Sequence, residues 1–217
     1  MVCRYFIDDF IPQLVRYIQA MHRRQSEALS SAPMNHPDPF KLALPVDDAT
    51  DHTLGDVHAA VTLVEYGDFE CPNCKQAAPA VKILLEKYPG RVRFAFRHFP
   101  LEGVHPHALS AAEVSEIAGA QGKFWPMHDL LFDHQLHLKP NDLRRYAEMA
   151  QLDMARYAAE LDDHIYLQRI REHEQSGRRS GVRATPAFFV NGRIQDVSFG
   201  MHQLFEAVEA ALEAHRR

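Results

Sequence analysis

Two of the chain's three cysteines, Cys71 and Cys74, stand three positions apart in DFECPNCKQ, residues 68–76. Three kinds of chemistry use that spacing: a metal clip, a structural crosslink, or a pair that makes and breaks a disulfide. Zinc takes four ligands, and the sequence holds no second cysteine pair. His105 and His107 would have to be borrowed, and His134 with His137 adds only two histidines at helical spacing. No metal and no cofactor are therefore expected. A crosslink between Cys71 and Cys74 closes too small a loop to contribute much stability. Thiol chemistry is the reading that remains, and Cys3, in a separate N-terminal stretch, takes no part in it.

The pair needs a scaffold, and its neighbours supply one. AAVTLVEYGD, 59–68, is apolar on both faces until Glu65, the pattern of a central strand covered on each side. KQAAPAVKILLEKYPG, 75–90, has helical spacing and is stopped by Pro89-Gly90. Pro72 suits a first helical position, because its missing N–H costs nothing there, and this makes Cys71 the capping residue. The Cys71 sulfur then faces unpaired backbone N–H groups and the positive end of the helix dipole, both of which favour thiolate over thiol. Such positions lower a thiol pKa from about 8.5 into a range of about 3.5–7.5. Cys74, one turn further in, is expected to be more buried, to keep a more ordinary pKa, and to resolve a mixed disulfide formed at Cys71. Pro72 and Asn73, between the two sulfurs, are candidate substrate contacts. Glu65 is a candidate proton acceptor for Cys74: it ends an apolar strand on the face of Val61 and Leu63, beneath the cysteines, where burial raises a carboxyl pKa. The alternative is a strand-end Glu that reaches solvent or pairs with an arginine.

RVRFAFRHFPL, 91–101, alternates Val92, Phe94 and Phe96 against Arg91, Arg93 and Arg97, a second strand joined to the first by a right-handed parallel crossover. Residues 105–180 carry only helical segments, four or five short ones packed as a bundle. TPAFFVNGRIQDVSF, 185–199, reads as two strands joined at Asn191-Gly192, and a last helix starts near Met201. The class is α/β: a four-stranded mixed sheet with an inserted all-helical domain. The boundaries are 1–33, an amphipathic helical extension with Phe6, Phe10, Leu14, Ile18 and Met21 on one stripe; 34–58, a linker rich in Pro, Ser and Asp; 59–104, the first half of the sheet domain; 105–180, the helical insertion; and 181–217, the second half.

The 217 residues are 46% hydrophobic and carry a net charge of -5. That supports a sizeable core, and it argues against a nucleic-acid surface or a polybasic membrane anchor. No stretch approaches the roughly 18 apolar residues of a spanning helix. Asp8 and Asp9 interrupt what would be a secretory leader, so a cytoplasmic protein is expected. Met34 is a second candidate start, because the chain reads as complete from there. The N-terminal stripe packs on its own domain or on a second copy, a possible homodimer; a membrane-surface helix is the lesser alternative.

Taken together, VTLVEYGDFECPNC, FRHFPL, GVRATPAFFVNGR and HPHALSAAEVSEIAGAQGKFWPMHDLLF resemble the DsbA-like branch of the thioredoxin superfamily over roughly residues 50–215. The resemblance implies a thioredoxin-like fold split by helices and a bacterial-type thiol-disulfide oxidoreductase acting on protein thiols and disulfides, with a redox partner. It implies that Thr185-Pro186 is a cis bond against the cysteines that guides the substrate chain, and that a carboxylate belongs at Glu65. Oxidising members of the branch are usually exported, which makes a periplasmic location the alternative to the cytoplasm. Pro-Asn stands where strong oxidants of the family carry Pro-His, and the direction of electron flow stays open. Two other functions compete: a binding or chaperone-like module without turnover, and a glutathione-dependent transferase or isomerase that uses Cys71 alone.

Overall fold

Five strands form one sheet in the order β1-β3-β2-β4-β5. The computed structural model describes residues 41–198 and 200–216; the helix and the homodimer contact expected of residues 1–33 lie outside them. The strands are β1, His52–Leu54; β2, Val61–Gly67; β3, Val92–His98; β4, Ala187–Val190; and β5, Arg193–Gln195. The helices are α1, Pro72–Lys87; α2, Ala108–Gly119; α3, Phe124–Asp133; α4, Pro140–Met149; α5, Met154–Asp162; α6, Leu167–Arg179; and α7, His202–Ala214. β2 and β3 are parallel, joined through α1, and β4 returns antiparallel to β2. Helices α2 to α6 occupy the stretch between β3 and β4, where the sequence shows helical periods and no strand.

β2 is central because both its faces are apolar: Val61, Leu63 and Val64 are fully buried, as is the body of Tyr66. The β4–β5 hairpin turns at Asn191 and Gly192, whose φ angles of 46° and 78° suit residues that tolerate the left-handed region. On one side of the sheet α1, the insertion and α7 bury a large core; on the other, Val64, Tyr66, Ala95, Phe99, Val182 and Phe189 make a smaller one.

One expectation needs correction. The sheet has five strands rather than four, and the fifth comes from the segment read as a linker: β1 pairs antiparallel with β3, His52 opposite Phe96. Three residues are too few to show a period, and the pairing reaches across some forty positions. From Lys41 onward this segment belongs to the fold, and Lys41 bridges to Arg193. The arginine face of β3 is also buried. Arg97 donates to both carboxylate oxygens of Asp51 at 2.8 Å, to the carbonyls of Leu44 and Pro45, and to the Tyr66 hydroxyl. A guanidinium paired in this way tolerates burial, which residue alternation cannot reveal.

Candidate active site

Cys71 caps α1 and Pro72 occupies its first turn. Sequence forces this start: the proline disfavours a helical residue before it, and the Cys71 carbonyl accepts the first helical bond from Lys75 N at 3.2 Å. Both sulfurs are free thiols, Cys71 with 4% exposure and Cys74 with none.

The two thiols are driven apart. Hydrogen bonding from the Cys74 thiol, opposed by burial and helped by Thr185 and the backbone amides of Cys74 and Asn73, lowers Cys71 to about 5. Neither amide closes a capping bond to the sulfur, yet both N–H groups face it closely enough to favour the anion. Burial, then the neighbouring Cys71 and the charge of Glu65, push Cys74 well above the ordinary thiol value. The ordinary pKa expected for Cys74 is therefore corrected upward: with no exposed surface, desolvation dominates.

Glu65 is 2% exposed and sits opposite Phe96 on β3 and Phe188 on β4. It neither reaches solvent nor pairs with an arginine, and its Oε1 has no hydrogen-bond partner among the described residues. Burial, with the Cys71 charge second, raises it to about 8. Gly67 makes room beside it: a Cβ there would lie 2.4 Å from the Phe96 ring and 3.2 Å from Glu65 Oε1.

The last part of the site arrives from the far end of the chain. The Thr185-Pro186 peptide is cis, and the Cys71 thiol donates to the Thr185 carbonyl at 3.3 Å. Thr185 Oγ1 is buried and has no partner among the described residues. Asn73, Thr185, Pro186 and Met201 line a cavity of about 370 Å³ beside the cysteines.

The structure adds residues that the sequence does not single out. Gln135, in the turn after α3, is buried and donates through Nε2 to the carbonyls of Phe69 and Cys71, both at 2.8 Å. Asp68 is buried in the turn before Cys71 and accepts from Glu70 N, Leu101 N and His105 Nδ1. Glu70 accepts from His107 N at 2.6 Å. These bonds tie the cysteine turn to the insertion and to the loop after β3. The pattern DFE hints at it only as two acids flanking a phenylalanine. Phe69 itself packs among Phe96, Phe132 and His128 with ring centroids 5.0–5.7 Å apart. Burying one such ring is worth roughly 1.5–3 kcal/mol.

His98, Glu116 and His173 place ligand-type atoms within 4.8 Å of one another. His173 Nδ1 accepts from the backbone N–H of His98 at 3.2 Å, and burial lowers the ring's pKa to about 3, so the proton of the neutral ring sits on Nε2. That nitrogen has no lone pair for a metal. Glu116 is satisfied by His52, His98 and Arg169 at 2.9–3.0 Å, which makes the cluster a buried hydrogen-bond network.

A thioredoxin family model matches residues 47–213. Over 175 residues the chain is 48% identical to the Na(+)/H(+) antiporter NhaA 1 of Salinispora arenicola, covering 81% of this chain and 27% of that protein. The chain thus spans about a quarter of the length of that relative. Among solved structures, BdbD of Bacillus subtilis superimposes with a TM-score of 0.70 at 22% identity, over 80% of this chain and 99% of that one. A thioredoxin-like oxidoreductase of Silicibacter pomeroyi gives 0.68 at 25% identity, over 76% and 94%. Wolbachia pipientis alpha-DsbA1 gives 0.67 at 21%, over 80% and 96%. The expected fold, a thioredoxin-like domain with inserted helices, is the one these structures share.

Proposed function

The chain belongs to the thioredoxin family, and on that footing we propose that it is a thiol-disulfide oxidoreductase whose Cys71 and Cys74 exchange a disulfide with protein substrates. The observation that carries this reading is the placement of the two sulfurs. One caps a helix within reach of the other and 3.3 Å from the Thr185 carbonyl, beside an open cavity, while its partner is sealed beneath it.

In the oxidising direction a substrate thiolate attacks Cys71 of the Cys71–Cys74 disulfide. The S–S bond breaks, its electron pair goes to Cys74, and the neutral carboxyl of Glu65 supplies the proton. A second substrate thiolate then attacks the substrate sulfur of the mixed disulfide, and Cys71 leaves as a thiolate, its low pKa making it a good leaving group. Two electrons pass to the enzyme, and the substrate gains a disulfide. Stabilising the reduced form in this way favours the oxidant role. That role needs a compartment that does not hold thiols reduced, so we place the reaction outside the cytoplasm, in the periplasmic alternative rather than the cytoplasmic one.

The test is catalysed oxidation of a reduced dithiol peptide, with the reduction potential measured against glutathione. Cys71→Ser and Cys74→Ser should each abolish turnover. Full activity in the double variant would favour a binding module without redox chemistry, and loss in Cys71→Ser alone would favour a glutathione-dependent transferase. A second reading rests on the 48% identity to a segment of a protein named as a Na(+)/H(+) antiporter: the domain serves as the thiol-exchange portion or partner of such a membrane protein. Trapping with Cys74→Ser, which strands the mixed disulfide, would show whether antiporter cysteines are its substrates.

A further inference from the structure

The cavity beside the cysteines does not end there. A second, about 410 Å³, shares Ala184 and Pro186 with it and continues past Ile194 and Val197. A third, about 670 Å³, shares Gly181, Val182 and Arg183 with the second and is bounded by Phe99, Arg178 and Arg179. The three form one trough along residues 181–187, leading from the cysteine pair to a cluster of arginines.

That cluster stands out in a chain of net charge -5. Arg179 and Arg183 are exposed and meet no carboxylate at ion-pair distance among the described residues. Arg178 reaches Glu174 only at 3.5 Å and otherwise lies over the Phe99 ring. Asp196 lines the middle of the trough, so an anion is held at the arginine end rather than midway. The backbone N–H groups of Arg183, Ala184 and Thr185 donate to no backbone acceptor among the described residues. An extended peptide brings carbonyls to these N–H groups at strand spacing while its side chains reach the arginines, whereas a lipid headgroup or a free anion, which also accepts from N–H, meets them at one point only.

We propose that the trough selects protein substrates whose reacting cysteine lies in an extended segment with Asp or Glu two to four residues away on the Arg183 side. The spacing follows from the place of Arg183, two residues before Thr185, and from the reach of an arginine side chain. This deepens the oxidoreductase reading and rests on it.

The test uses two reduced dithiol peptides that differ only in carrying Glu or Gln at the third position from the reacting cysteine, made in both sequence directions, with oxidised glutathione as the terminal oxidant that restores the Cys71–Cys74 disulfide. Wild type should oxidise the Glu peptide of one direction with a kcat/KM about fivefold higher, as two exposed ion pairs allow, and the ratio should shrink with added salt. In Arg179→Gln/Arg183→Gln the ratio should fall to about one. Failure to oxidise either peptide would sink the oxidoreductase reading. Equal rates in wild type, or a ratio that survives the double substitution, would overturn the acidic-substrate inference alone. Equal rates together with sedimentation on anionic vesicles that Arg183→Gln abolishes would assign the basic end to a lipid surface, and would overturn it as well.

Discussion

The sulfur of Cys71 lies 3.3 Å from the carbonyl oxygen of Thr185, a residue 114 positions further along the chain. A thiol donates to that carbonyl, but a thiolate cannot. On ionisation the sulfur must turn to donors, and the Thr185 hydroxyl, buried without another partner among the described residues, is one of them. Thr185→Val keeps the shape and the carbonyl and removes the hydroxyl. The Cys71 pKa, read from the pH dependence of alkylation, should rise; an unchanged profile would remove the hydroxyl from the account.

Alkylation of the reduced wild type should titrate with a midpoint of about 5, held there by the Cys74 thiol, Thr185 and the first-turn amides that face the sulfur. Cys74→Ala deletes the largest of these and should move the midpoint up. A wild-type midpoint near the ordinary thiol value of about 8.5 would show that no activated nucleophile exists.

The reduction potential should carry the same signature. Between the lowered pKa of Cys71 and the raised one of Cys74, reduction takes up one proton for two electrons. From about pH 5.5 to 7.5 the potential should therefore fall by about 30 mV per pH unit, where a couple taking two protons shows about 59 mV. The steeper slope across that window would mean that both cysteines stay protonated.

Glu65→Gln should slow turnover on the order of 10²-fold, because among the described residues Glu65 is the carboxyl whose charge acts on Cys74, and should leave substrate KM nearly unchanged. Stability supplies an independent reading. The folded-state pKa of Glu65 is raised from 4.5 to about 8, so its contribution is fully present below pH 4.5 and is lost as pH rises toward 8. Denaturation of the reduced forms should find the variant gaining on wild type through that window, by a few kcal/mol at about 1.4 kcal/mol per unit. A difference independent of pH would place Glu65 in water.

Asp51→Ala strands Arg97 in the core with two of its five hydrogen bonds lost, and should destabilise the protein by about 3–5 kcal/mol. Burial alone would raise the Asp51 pKa, yet Arg97 holds it below the ordinary value. The stabilisation is therefore present above about pH 4, an ordinary carboxyl value, and fades as acid protonates the pair. Equal stability of variant and wild type at pH 7 would leave β1 and residues 41–51 as an unanchored strap.

What periodicity and turn chemistry encode was legible in the sequence: β2 and its buried Glu65, Pro72 at the start of α1, the helical stretch from 105, and the Asn191-Gly192 hairpin. What is made by residues distant in sequence was not. β1 is three residues that become a strand only against Phe94–Phe96, and Arg97 looks solvent-facing until Asp51 and Tyr66 close on it. Gln135 was invisible for the same reason, since a glutamine in a turn shows nothing until two carbonyls from residues 69 and 71 meet its amide.

That single carboxamide also joins the helical insertion to the turn that carries the sulfur. The next residue, Leu136, is 88% exposed, and the amide beside it grips the turn that presents the Cys71 sulfur. With both carbonyls held at 2.8 Å, the inserted helices and the turn that carries the sulfur are riveted into one piece.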